Sequence, residues 1–208
     1  MTKIEKIAAQ PDRAGRYTVK MEDGTVFRLY RQTVEDFCLY SGKELSDEEL
    51  KNLITAAGQM SAKMRAVRIV SASGVSKADL EHRLVQKGET KQDAQQAVAW
   101  LTELDLLDDR KIAQQVVQKC ISKGYGLSRA KQALYEKSVP KTFWEDALAD
   151  YPDQTEKIME FLQSRLRDGR DEKQLRRAID ALLRRGHSYE EIRKALNAFS
   201  DFQEDTYG

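Results

Sequence analysis

Asp108 and Asp109 stand side by side, and adjacent carboxylates are a common way to hold a divalent cation or share acid–base work. Their position argues for something simpler. They open an apolar-periodic run, where Asp108 reads as a helix N-cap and Asp109 as a complement to the helix dipole. His82 and His187 have no Cys or carboxylate at metal-ligand spacing, so no metal centre is expected. His82 falls on an exposed-looking helix face and His187 in a linker. Cys38 and Cys120 each sit inside an apolar pattern and read as buried thiols in a reducing compartment. There is no Gly-rich phosphate loop, no nucleophile–base pair and no metal cluster. The residues therefore suggest a protein that is not an enzyme and carries no cofactor. No apolar run approaches the roughly 20 residues of a membrane span, and a cytoplasmic location is expected.

Cations are the other chemistry on offer. The formal net charge is +1, so no whole-protein field draws the chain to a polyanion. Residues 111–141, however, hold seven Lys or Arg against the single acid Glu136. Lys119 and Lys123, four apart, share one helix face, and Lys111 lies upstream of them. Arg129, Lys131 and Lys137 follow across the turn Gly124-Tyr125-Gly126. Cations around an exposed ring suit a phosphate backbone or an acidic protein groove. The alternative is a solvated face with Tyr125 packed on a neighbouring helix. A second group comprises Arg165, Arg167, Arg170, Lys173, Arg176, Arg177, Arg184 and Arg185. Its arginine bias favours forked recognition of phosphate or carboxylate. Asp168, Asp171, Glu172 and Asp180 lie among these residues, so a salt-laced exposed helix is the competing reading.

The elements that must position these residues repeat. Leu80–Leu84–Lys87–Gly88 is matched by Ala130–Leu134–Lys137–Ser138 and by Ala178–Leu182–Arg185–Gly186. In each copy two small or apolar residues one helical turn apart precede a cation and a small residue that can end the helix. A further helix then starts at Thr90, Pro140 or Ser188. A period near 50 residues implies stacked helical units. The fold expected is mainly α: three tandem three-helix repeats over 60–106, 107–151 and 152–202 in an elongated stack, then a tail at 203–208. Ser76, Asp108, Asp153 and Ser188 are candidate N-caps, and Trp100 and Trp144 lie on apolar stripes that read as core. Residues 1–58 form a β/α extension, with strands over Ile4–Ala8, Tyr17–Met21 and Val26–Tyr30, a hairpin at Gly24 and a short helix over Val34–Tyr40. Ser46 and Glu49 make a capping box that opens the next helix.

The segment Leu106-Leu-Asp-Asp-Arg-Lys-Ile-Ala113, followed by Lys123-Gly-Tyr-Gly126, Arg129 and Lys137, resembles the RecX family of RecA modulators. The resemblance covers about 60–200 well and 1–58 more loosely. The family tends to have Gly at the places of Asp105 and Ser138, Pro at Leu127 and Ile at Ala130. The resemblance implies a non-catalytic monomer that binds RecA filaments on DNA, lies along the filament groove and inhibits ATPase and strand exchange, with DNA contacted directly or through RecA. Site residues on this reading are Lys119, Lys123, Tyr125, Arg129, Lys131, Lys137, Arg176 and Arg177. A stand-alone nucleic-acid-binding helical module is the alternative.

Overall fold

The computed structural model describes the backbone of residues 1–166 and 172–207, and side chains outside 167–171 and 199–208. The protein is mainly helical, with a small antiparallel sheet at its N-terminus. Arg167 and Arg170 of the second cation group, and Asp168 and Asp171 between them, lie outside the described residues.

The sheet holds β1 (Thr2–Ile7), β2 (Arg16–Met21), β3 (Val26–Tyr30) and β4 (Glu44–Leu45), in the order β3-β2-β1-β4. Gly24, at φ 85°, closes the β2–β3 hairpin, and its N–H donates to the Met21 carbonyl at 3.0 Å. Alternation along the strands turns Ile4, Val19, Met21 and Leu29 into a core with Leu39, Leu45 and Leu53. The two-residue β4 is too short to signal itself by periodicity.

Helix α1 spans Arg31–Asp36, ending earlier than the apolar pattern of 34–40 suggests. The cause is Cys38, which adopts φ 46°. Its N–H donates to Glu35 O and that of Leu39 to Val34 O, both at 2.9 Å. This left-handed closure turns Leu39 into the core and Cys38 outward. Cys38 is exposed, contrary to the buried thiol expected, while Cys120 is buried.

Ser46 and Glu49 form the expected capping box at the start of α2 (Asp47–Ala72). This 26-residue helix passes unbroken through Gly58. Gly58 leaves room for α4 (Lys91–Glu103), because a Cβ there would lie 2.9 Å from Asp93 Oδ2.

The chain divides into two compact units, residues 1–74 with 80–107 and residues 75–79 with 108–208. The first contains the sheet, α1, α2, α4 and most of α3 (Lys77–Gln86). The second contains α5 (Asp109–Ser122), α6 (Leu127–Glu136), a 3-10 turn at Lys141–Phe143 running into α7 (Trp144–Leu148), then α8 (Thr155–Arg165), α9 (Glu172–Arg184) and α10 (Tyr189–Tyr207).

The repeated motif has one local structure in all three copies. Leu80 and Leu84, Ala130 and Leu134, and Ala178 and Leu182 are all buried. Gly88, Ser138 and Gly186 follow with φ of 92°, 51° and 86°. In each, the residue after the left-handed one donates back to Leu84, Leu134 or Leu182, which is a Schellman closure. Asp105, at φ 55°, closes α4 the same way. Asp105 and Ser138 are the two positions where the resembled family tends to have Gly, and the left-handed backbone is the reason: only Gly adopts it without Cβ strain.

Several expected side-chain roles are refined. Trp100 and Trp144 are half-buried, not core. Trp144 needs a partner for its Nε1–H and finds it at the core edge, in the Val139 carbonyl at 2.9 Å. Asp153 accepts from the Thr155 N–H at 2.7 Å, but the N-cap position of α8 is Gln154. Ser188 and Glu191 exchange bonds at the start of α10, the Glu191 N–H donating to Ser188 Oγ and the Ser188 N–H to Glu191 Oε2.

A candidate cation and aromatic binding surface

Asp108 accepts from the N–H groups of Arg110 and Lys111 at 2.9 and 3.1 Å. Those bonds, the one from Lys111 first, hold its carboxyl below the usual range. It is the expected N-cap. Asp109 does more than complement a dipole. It is buried, and its Oδ1 accepts the Lys77 N–H at 2.9 Å, so it caps the first turn of α3. Ser76 caps the same turn through the Asp79 N–H at 3.1 Å, while its hydroxyl donates to the Lys137 carbonyl at 2.7 Å. Both aspartates are committed to helix starts. No group of three or more His, Cys, Asp or Glu among the described residues could hold a metal.

The Lys123-Gly-Tyr-Gly126 turn is held from three sides. Gly124, at φ 62°, closes α5. The Tyr151 hydroxyl donates to the Tyr125 carbonyl at 2.6 Å, and burial pushes that phenol up to about 12. The Gly126 N–H donates to the Arg185 carbonyl at 3.0 Å, and the Ser128 N–H to the Gly186 carbonyl at 3.3 Å. Gly126 itself has an ordinary φ of −76°. Glycine is needed there for space, since a Cβ would lie 2.1 Å from the Gly186 carbonyl oxygen.

His187 is buried beside this turn and lies 3.0 Å, through Nε2, from the Gly124 carbonyl. A carbonyl only accepts, so Nε2 carries the proton. Nδ1 meets no hydrogen-bond partner among the described residues. Burial is the main cause that lowers the imidazole pKa, against the bond to Gly124 and the charge of Glu191, which raise it. The sign follows. The unfolded chain binds a proton near pH 6.5 that the folded ring resists, so this contribution is whole above that pH and is lost as pH falls toward the folded value. His187→Gln should flatten the fall in melting temperature between about pH 7.5 and 5.5. An undiminished acid slope in the variant would show that His187 is not its source.

The clasped turn places cations around two rings. Arg185 lies 5.7 Å from the Tyr125 ring centroid and 4.8 Å from that of Phe161. Arg165 lies 5.5 Å from Phe161, and Lys123 Nζ 5.9 Å from Tyr125. Such stacking holds a guanidinium in place without neutralising it. A 510 Å³ hollow is lined by Phe161, Arg165, Gln174, Arg177 and Arg184 among others. It continues, through the shared Phe161, Arg165 and Arg184, into one of 310 Å³ that adds Tyr125, Arg129 and Arg185. A third, of 200 Å³, lies among Lys119, Lys123, Tyr125, Arg129, Glu136 and Lys137.

Tyr125 and Arg129 thus belong to both the Lys-rich and the Arg-rich parts. Lys119, Lys123 and Lys137 join them on one side and Arg177 on the other. Lys131 and Arg176 are exposed but line none of these hollows. Tyr125 is half-buried, between the exposed ring and the packed ring that its sequence context allowed. Arg129 is partly neutralised, with Nη1 2.9 Å from Glu136 Oε1. Among the described residues no carboxylate lies within ion-pair distance of Arg165, Arg177, Arg184 or Arg185. Of the four acids that could lace these arginines, Glu172 and Asp180 are not within ion-pair distance of them, and Asp168 and Asp171 lie outside the described residues. Cys120 borders the third hollow, and burial raises its thiol pKa in spite of Arg129, Lys123 and Lys119, so it is no activated nucleophile.

Phe161 was not legible as a site residue. Its only local signal is Arg165 one helical turn later, and its second cation, Arg185, lies just past the end of α9.

No helix among the described residues is long and apolar enough to cross a membrane. No family model matches the chain. Regulatory protein RecX of Clostridioides difficile strain 630 is 25% identical over 210 residues, 98% of this chain and 97% of that one. Regulatory protein RecX of Vibrio vulnificus is 28% identical over 141 residues, 66% of this chain and 92% of that one. Among solved structures, a regulatory protein RecX superposes with TM-score 0.61 at 24% identity, over 93% of this chain and all of that one. RecX from Lactobacillus salivarius gives 0.59 at 21% identity, over 70% of this chain and 98% of that one. With one relative of that name matching along nearly its whole length, another over about two thirds of it, and solved structures of that name sharing its fold, the chain belongs to the RecX family of regulatory proteins.

Proposed function

We propose that this protein is a cytoplasmic, monomeric regulator that binds RecA–DNA filaments and inhibits RecA ATPase and strand exchange by occupancy, in recombination, DNA repair and the SOS response. The observation that carries the reading is the concave run of Arg165, Arg177 and Arg184 without carboxylate partners among the described residues, beside the Tyr125–Arg185–Phe161 stack. A guanidinium already stacked on a ring, as those of Arg165 and Arg185 are on Phe161, loses little freedom when it meets phosphate or carboxylate oxygens, which it meets with a fork. Lys119, Lys123 and Lys137 extend the cationic surface as point charges.

On this reading the tandem repeats, divided near 106 and 151, carry the surface, and no covalent bond is made or broken. A bound regulator shifts the filament toward whichever state it holds more tightly, and inhibition means that this is the state that hydrolyses ATP slowly. The test is RecA ATPase on single-stranded DNA with increasing amounts of this protein. The rate should fall steadily and be strongly reduced by equimolar regulator. An unchanged rate at that ratio would remove the proposal.

A further inference from the structure

The first unit holds a cationic concavity of its own, far in sequence from the Lys- and Arg-rich segments. Its 430 Å³ are lined by Arg16, Arg65, Arg68, Arg83 and Lys87, with no Asp or Glu in the lining. Nothing local in the sequence marks it. Arg16 comes from β2, Arg65 and Arg68 from α2, Arg83 from α3 and Lys87 from the end of α3.

The cations are held, and held unequally. Arg16 is paired with Asp12 at 2.8 Å and Arg65 with Glu89 at 2.9 Å. The Arg65 guanidinium also donates to the Lys87 carbonyl at 2.5 Å. Arg68 is different. Its Nη2 donates to the Ala14 carbonyl at 2.9 Å and the Tyr30 hydroxyl at 3.2 Å. Both acceptors are neutral, so the guanidinium is positioned while its charge stays uncompensated. The Lys87 ammonium, exposed at the rim, has no carboxylate within ion-pair distance among the described residues. A fixed guanidinium and a free ammonium facing one hollow supply the positive excess an oxyanion needs.

The rest of the lining narrows the ligand. Tyr30, Ile69 and Ala72 give the hollow an apolar and aromatic side next to its charges. Single-stranded nucleic acid meets proteins in this way, with cations on the backbone and apolar or aromatic surface beside the sugar and base. The volume lies within the roughly 300–1,000 Å³ of small-ligand pockets, and a partner helix about 10–12 Å across does not enter such a space.

We propose that this hollow is a second nucleic-acid contact, which takes a backbone phosphate of single-stranded DNA between Arg68 and Lys87 and lays the adjoining sugar against Tyr30 and Ile69. It goes beyond the filament-inhibitor reading, because it concerns DNA alone and the first unit alone.

The probe is a fluorescein-labelled oligo-deoxythymidine of about 30 nucleotides, titrated with the full chain by fluorescence anisotropy across a salt series. For Arg68→Ala with Lys87→Ala, the slope of log K against log salt should shrink by about 1.4, two contacts at about 0.7 each. Affinity near 0.1 M salt should fall about tenfold. Lys87→Glu removes no contact of the fold and should by itself shrink the slope by about 0.7. It decides the matter where the double variant loses its structure. A wild-type chain that fails to bind the oligonucleotide, or a Lys87→Glu slope equal to wild type, overturns the proposal. It is equally overturned if the variants keep the wild-type slope yet bind RecA-coated DNA more weakly, which would assign the hollow to an acidic protein surface.

Discussion

Gly126→Ala should cost the second unit about 3–5 kcal/mol and lower its melting temperature by more than about 10 °C. The added methyl would stand 2.1 Å from the Gly186 carbonyl oxygen, 2.3 Å from its carbon and 2.4 Å from the His187 nitrogen. All three are backbone atoms, so no rotamer change relieves the overlap. The two segments must part instead. That breaks the bonds from the Gly126 N–H to Arg185 and from the Ser128 N–H to Gly186, each worth about 1 kcal/mol net, on top of an overpacking cost of about 1–3 kcal/mol. Gly88→Ala is the matched control. Gly88 has φ 92° but open space around its Cβ position, so only conformational strain, about 1–2 kcal/mol, is added. Thermal unfolding of the two variants by circular dichroism separates crowding from strain. If Gly126→Ala melts within a few degrees of Gly88→Ala, the close approach of the two glycine segments is not what holds the turn.

Arg165→Ala, Arg177→Ala and Arg184→Ala combined should weaken binding to RecA–DNA filaments by roughly 100-fold or more. All three side chains are exposed and without ion-pair partners among the described residues, so melting should change little. Hydrogen bonds to a charged group contribute about 1.5–3 kcal/mol, and even about 1 kcal/mol at each of three contacts multiplies to that loss. Arg185 is left intact because its packing on Tyr125 and Phe161 is structural as well as electrostatic. Co-sedimentation with filaments measures the effect, and ATPase inhibition should be lost in parallel. A variant that still sediments with wild-type affinity would mean that these arginines face solvent in the complex. Lys131 and Arg176, which line none of the hollows, serve as controls: changing them to Ala should leave filament binding within a few-fold of wild type.

The contrast between the two cation groups shows how far a one-dimensional reading reaches. The Lys-rich segment was visible because its members are close in the chain, and Lys119 and Lys123 share a face by helical geometry alone. The convergence of Arg185 and Arg165 on Phe161, and the joining of Tyr125 to both groups, needed the fold. Arg129 looked as available as Lys131, yet its partner Glu136 sits seven residues on and neutralises it. In the first unit Arg16, Arg65, Arg68, Arg83 and Lys87 are scattered over three elements and the end of a helix, so no window of sequence contains them.

What the amino-acid order determined by itself is local. Helix starts at Ser46, Ser76, Thr90, Asp108 and Ser188, the Gly24 hairpin and the threefold motif with its buried pairs all depend on residues within about one helical turn of each other. Tertiary structure decided what depends on distant chain segments meeting. It turned Asp109 into the cap of another helix, made Gly126 a matter of space and not of torsion, buried His187 against the Gly124 carbonyl, and gathered arginines around two rings. Short-range hydrogen bonds and periodicity are written in neighbouring residues, whereas contact between segments is set by packing, which no neighbouring residue records.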